Sequence, residues 1–196
     1  YPGAIPRRHP NDTLPGIAVT QPFSIHELVR QTADRFGDRP AFAYPQRLVD
    51  LWELPSTEIT WSALLADADR LAAAYAAAGY GPSHRIAILV ENRPDHFRHW
   101  LALNALGLSM VPINPDYRLE ELRYLLGHSE ASLAVALPPY LPLIEEAIES
   151  AGLACRAVTP DAVLGGPPPP ATMAGAGEVG AETEAALLFT SGPTGM

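Results

Sequence analysis

The sequence contains no lysine: all 13 of its basic residues are arginine, set against 22 Asp and Glu. Alanine, proline and glycine are abundant, so biased composition accounts for the missing lysine. Any lysine chemistry in the activity this chain serves must come from residues outside this stretch. A formal net charge of −9 speaks against nucleic acid as the main partner, because phosphate backbones select basic faces. Small phosphate ligands stay open, since they need only a few local donors. Cysteine is almost as scarce. Cys155 stands alone, which excludes an internal disulfide and makes a reducing cytoplasm the expected compartment. No apolar run approaches the ~18–20 residues of a membrane span, so no transmembrane segment is expected. Tyr1 to Pro10 lacks the apolar core of a signal peptide. The start at Tyr1 rather than Met, and the way the chain stops, read as cuts in a longer polypeptide.

What is present suffices for a substantial core: 196 residues, 47% of them hydrophobic. Four stretches follow one another. Residues 1–22 carry Pro2, Pro6, Pro10 and Pro15 and read as an extended arm. Residues 23–164 read as an α/β subdomain. Ser24 is a candidate N-cap with Glu27 as its capping-box partner, and Ile25, Leu28, Val29, Thr32 and Phe36 follow helical spacing up to Gly37. Ala41–Tyr44 and Glu58–Thr60 are short strand candidates, with a hairpin expected around Leu48, Leu51 and Trp52. Trp61, Leu64, Leu65, Ala68, Leu71, Ala72 and Tyr75 then share one helical face.

The run Arg85–Val90 is continuously apolar after its first residue, the pattern of a strand buried on both faces. Asn92-Arg93-Pro94 turns into a helix with Pro94 at its first position, which ends at Gly107. Strands at Ser109–Ile113, Ser132–Ala136 and Arg156–Val158 alternate with helices at Leu119–Leu126 and Tyr140–Ala151. That alternation predicts an α/β fold with a parallel, helix-covered sheet. Residues 165–180, with four consecutive prolines at Pro167–Pro170, form a Pro/Gly/Ala-rich loop without core-forming capacity. Residues 181–196 return to order, with Ala185–Phe189 reading as a strand that runs into Thr190-Ser191-Gly192-Pro193-Thr194-Gly195.

An apolar strand that delivers hydroxyls and glycines is suited to phosphate. Glycine lets the backbone approach an anion without a side-chain collision, and successive N–H groups converge on its oxygens. Thr190, Ser191 and Thr194 add hydroxyl donors. A Gly/Ser/Thr turn without a ligand has the same composition. The G-x-x-x-x-G-K-[ST] loop is absent, because Gly192 and Gly195 have the wrong spacing and no lysine follows; a P-loop kinase or GTPase is disfavoured.

Leu188–Met196 resembles the phosphate-loop motif of the adenylate-forming superfamily, which commonly reads aromatic-T-S-G-[ST]-T-G-x-P-K. Glu58–Leu64 is similar to that family's I-T-Y-x-E-L helix start, with Ala63 in place of the acidic residue. Ile86–Phe97 is similar to its strand–Asn–helix unit, and Ala105–Pro115 to its A-x-G-x-x-x-x-P-x-N-P segment. The four segments stand in the family's order and spacing. The resemblance implies the front portion of the large N-terminal domain of an acyl-CoA synthetase. The full-length enzyme would use ATP, Mg²⁺ and coenzyme A as co-substrate to convert a small carboxylic acid into an acyl-adenylate and then a thioester. Thr190, Ser191, Gly192, Pro193, Thr194 and Gly195 would hold the β/γ-phosphate end. Pro193 departs from the usual Thr or Ser, losing one hydroxyl and one N–H while stiffening the loop. An amino-acid adenylation domain that loads a carrier protein is the nearest alternative, and a non-catalytic nucleotide-binding module a third. The Asn114–Arg118 segment looks more like the acyl-CoA synthetases.

Other candidates carry less. His96 and His99 have a spacing compatible with a shared metal, but no third ligand is evident, so packing or surface roles are expected. Glu145, Glu146 and Glu149 read as a solvated face, as do Glu120 and Glu121, with Glu120 supporting a helix start. Glu91 and Asn92 follow the C-terminal end of a strand, where open α/β sheets bind ligands; the expected role of Asn92 is to cap the next helix.

Overall fold

A computed structural model of the chain describes residues 24–162, 179–180 and 182–189. The N-terminal arm, residues 165–178 of the proline-rich loop, and Thr190–Met196 lie outside the described residues. Helix α1 (Ile25–Phe36) starts where the Ser24 side chain accepts from the Glu27 N–H at 3.1 Å. The Glu27 carboxylate does not complete a capping box. It takes hydrogen bonds from Arg30 and Gln31, whose donors hold it below the usual carboxylate range.

Strands β1 (Pro40–Ala43) and β2 (Glu58–Thr60) pair antiparallel. The expected hairpin between them is instead a helix, α2 (Gln46–Trp52). The reason is local. Pro45 presets the backbone just before the helix, Gln46 bonds Asp50 across one turn at 2.8 Å, and Leu48, Val49, Leu51 and Trp52 repeat with helical rather than alternating period. Val49 is buried while Leu51 faces solvent at 70% exposure.

Thr60 caps α3 (Trp61–Ala77) by accepting from the Ala63 N–H. The main sheet follows: β3 (Arg85–Leu89), α4 (Pro94–Ala105), β4 (Ser109–Pro112), α5 (Leu119–Ser129), β5 (Leu133–Ala136), a short 3₁₀ turn (Pro138–Tyr140), α6 (Leu141–Ser150) and β6 (Arg156–Val158). The strands are parallel and lie in the order β4-β3-β5-β6, so the α/β, helix-covered sheet holds.

Alternate side chains of these strands feed two cores, as the strand period of two requires. Ile86, Ile88, Met110, Leu133 and Val135 pack with Tyr75, Ala102 and Leu103 of α3 and α4. Ala87, Leu89, Val111, Ala134 and Ala136 pack with Leu122, Leu125, Leu126, Ile144 and Ala147 of α5 and α6. Each of the buried leucines contributes about 1.5–3 kcal/mol through desolvation. A third cluster joins Leu64, Ala68 and Leu101 to the small sheet, with the Phe42 and Phe97 rings 4.5 Å apart. At the start of α5 it is Glu121, not Glu120, that satisfies the helix end, accepting from the Arg118 N–H at 2.8 Å; Glu120 pairs with Arg123.

Candidate functional site

The segment expected to deliver the glycine-hydroxyl loop lies beside β4. The Met110 N–H donates to the Ala185 carbonyl at 3.2 Å, and the Leu187 N–H donates to the Met110 carbonyl at 2.9 Å. This parallel Met110–Ala186 bridge is isolated: where the sequence predicts a strand over Ala185–Phe189, the structure pairs only Ala186 with the outer side of β4, and the segment runs toward the edge where β3, β4 and β5 end.

Backbone bonding limits how far the pairing goes. Ser109 and Ile113 donate toward β3, to His84 and Ile88; Met110 therefore faces outward, and Pro112 is the next outward residue. Proline has no N–H to offer. Pairing stops there, and Leu188 is 68% exposed. The side chains still alternate: Ala186 joins the α3/α4 core, Leu187 and Phe189 the α5/α6 core. The Phe189 ring meets Tyr124 edge-on at 6.3 Å.

The other end of the segment is tied across the sheet. Arg85, first residue of β3, donates to Glu184 through Nε at 2.9 Å and Nη2 at 3.2 Å, and to the Ser129 carbonyl through Nη1 at 3.2 Å. The Arg85 hydrogen bonds hold the Glu184 carboxyl below its ordinary range. Upstream, the Gly180 N–H donates to the Thr183 hydroxyl at 3.0 Å.

At the opposite edge the strand order sets a switch point. The chain leaves β3 for β4 on one side and returns as β5 on the other, and ligands of open α/β sheets bind in such crevices. Glu91, just past β3, has φ +57°, a backbone state that a side chain other than glycine's enters at a cost of about 1–2 kcal/mol. Its carboxylate accepts from the Tyr140 hydroxyl at 2.6 Å. That bond, with partial burial and the charges of Glu91 and Asp116, raises the phenol's pKa above its ordinary range. Asn114 organises the turn after β4, its side chain accepting from the Asp116 N–H at 3.0 Å.

The residues expected to hold phosphate (Thr190, Ser191, Gly192, Pro193, Thr194 and Gly195) lie outside the described residues. Asn92 is not the cap of α4: Arg93 takes that position, without a side-chain cap bond. His99 is 3% exposed and its Nδ1 lies 2.7 Å from the Tyr75 hydroxyl. The Pro160 carbonyl is a further partner of the ring. A carbonyl only accepts, so the ring nitrogen that meets Pro160 carries a proton. Burial first of all pushes this ring down to about 4. His96 lies against the Phe97 ring. Among the described residues no group of three or more His, Cys, Asp or Glu could hold a metal ion, and no helix is long and apolar enough to cross a membrane.

Sequence reading missed the Arg85–Glu184 and Glu91–Tyr140 pairs. Both join residues far apart in the chain, so neither leaves a spacing pattern. The available signal was positional: Glu91 and Tyr140 each follow a strand that ends at the same edge.

Comparison with known proteins agrees with the geometry. The family model for AMP-binding enzymes matches residues 29–196. Sulfoacetate–CoA ligase of Cupriavidus necator is 35% identical over 173 residues, covering 86% of this chain and 32% of the ligase. Tyrocidine synthase 3 of Brevibacillus parabrevis is 30% identical over 136 residues, covering 69% of this chain and 2% of that protein. The N-terminal subdomain of NpsA from Klebsiella oxytoca superposes with a TM-score of 0.63 at 21% identity, over 89% of this chain and 40% of that one. The chain thus spans about a third of the ligase it matches.

Proposed function

The chain belongs to the AMP-binding enzyme family, and from that premise we propose that the full-length protein is an ATP-dependent acyl-CoA synthetase. It joins a carboxylic acid to ATP, releasing pyrophosphate, and passes the acyl group from the adenylate to the thiol of coenzyme A, releasing AMP. The observation that carries this reading is the parallel bridge between Met110 and Ala186. It directs the segment before Thr190 toward the ligand-binding edge of the sheet.

On this reading Thr190, Ser191 and Thr194 give hydroxyl donors, and Gly192 and Gly195 give close-approaching amides, to the β/γ-phosphates. Such donors favour charge developing on the leaving pyrophosphate. Mg²⁺, entering with the nucleotide, supplies further charge neutralisation when bound; no described residue is assigned to it. At the switch point the Tyr140 hydroxyl is already donated to Glu91. The compartment that fits a lone, buried Cys155 is the cytoplasm.

The test is carboxylate-dependent ATP–pyrophosphate exchange by the full-length protein over a broad acid panel, followed by mass spectrometry of products formed with coenzyme A. Exchange plus an acyl-CoA thioester supports the reading. No exchange with any acid sinks it. Similarity to tyrocidine synthase 3 favours a second reading, an amino-acid adenylation domain. Exchange confined to amino acids, with transfer to a carrier protein and none to coenzyme A, would select that reading.

A further inference from the structure

Among the described residues, 185–187 are paired to the sheet by two backbone hydrogen bonds, both on Met110. So short a ladder specifies register weakly. Further restraint comes from Ala186 and Leu187, packed against the two cores, and from side chains at the two ends of the segment. Glu184 is held by two nitrogens of Arg85, a residue fixed in turn by its place in β3 and by the Ser129 carbonyl, with Ser129 fully buried. Glu130 adds a second carboxylate at 4.0 Å from the same guanidinium. At the far end Phe189 packs against Tyr124.

We propose that Arg85 and Glu184 are a positioning pair that sets where the loop beginning at Thr190 emerges, and hence how well it holds nucleotide phosphate. Neither residue touches the nucleotide. They sit at the opposite edge of the sheet from the ligand crevice and act along the strand. A forked guanidinium–carboxylate pair defines direction as well as distance, which a lysine in place of Arg85 would not. A strand rises about 3.3 Å per residue. A slip that keeps Leu187 and Phe189 on their face must move two residues, carrying Thr190 about 6–7 Å. Phosphate donors displaced that far no longer converge.

This inference rests on the proposed ATP chemistry, and its test separates the two. Glu184→Gln, Glu184→Ala and Arg85→Lys are made in the full-length protein. Three readouts are taken: Michaelis constants in the pyrophosphate-exchange assay, melting temperature, and hydrogen exchange of the Leu187 amide. Loss of a charge-assisted pair predicts about a tenfold rise in KM for ATP in Glu184→Ala. KM for the carboxylic acid should stay put, Tm should move little, and Leu187 exchange should speed up. Glu184→Gln, which keeps one acceptor, should fall between wild type and Glu184→Ala. Arg85→Lys should resemble Glu184→Ala. An active wild type with unchanged KM for ATP in all three variants overturns the proposal. So does a uniform loss of all parameters in step with a fall in Tm, the signature of a merely structural pair. A wild type without exchange activity refutes the functional reading instead; the clasp is then judged on the Leu187 amide, and unaltered protection overturns it.

Discussion

Gly107 closes α4 with φ +69°, and a Cβ there would lie 3.0 Å from Val179 Cγ2 and 3.6 Å from Thr183 Cγ2. Both conditions argue for glycine. Gly107→Ala should cost about 1–2 kcal/mol from the left-handed backbone alone, read as a lower urea midpoint at unchanged slope. A second residue-scale prediction concerns His99. Its neighbours are Tyr75 on α3, Asp95, Arg98 and His96 on α4, and the Pro160 carbonyl. The ring's folded pKa is about 4, against 6.5 for an unperturbed histidine. Above pH 6.5 the ring is neutral in both states. As pH falls toward 4 the unfolded chain takes up a proton that the folded chain refuses, so stability is lost, by up to about 1.4 kcal/mol per pH unit. Denaturant titrations from pH 7 to 4 should show that decline in the wild type and a shallower one in His99→Gln. Equal slopes would refute the assignment.

At the scale of elements, burial decides which side chains matter. Leu126 is 1% exposed in the α5/α6 core and Leu51 is 70% exposed on α2. Leu126→Ala should cost about 2–5 kcal/mol, and Leu51→Ala no more than about 0.5 kcal/mol, both measured by chemical denaturation. The same contrast explains what the sequence made legible. Arg85–Val90 was readable because a doubly buried strand is apolar throughout, and Pro94 because only a helix's first turn welcomes proline. Helix α2 was misread because seven residues hold too few periods to separate a helix from a turn, and its single buried position, Val49, gives no face to follow. Glu121 was passed over for Glu120 because adjacent carboxylates look alike until the backbone places one of them within reach of the Arg118 amide.

For the whole molecule, alternation of strands and helices announced a parallel sheet but not its order. Nothing local tells β5 to cross to the far side of β3, or residues 185–187 to settle beside β4; those choices follow from which apolar faces remain uncovered. The Thr190–Gly195 motif was recognisable because its pattern is carried by neighbouring residues. The Arg85–Glu184 pair was not, since its members are 99 residues apart. A prediction at this scale concerns residues 1–196 alone. They hold no lysine and match about a third of a related ligase, so they should give no carboxylate-dependent pyrophosphate exchange above blank; turnover by the purified chain would contradict this. The place of residues 185–187 also bears on biosynthesis. At about 5–20 residues per second, the ribosome needs several seconds to go from Met110 to Ala186. Until that segment is made, the outward amide and carbonyl of Met110 lack the partners they have in the finished fold, as at any open sheet margin. Pro112 removes the next donor along that margin, so the nascent chain guards its unfinished side with the same residue that later lets Leu188 leave the sheet.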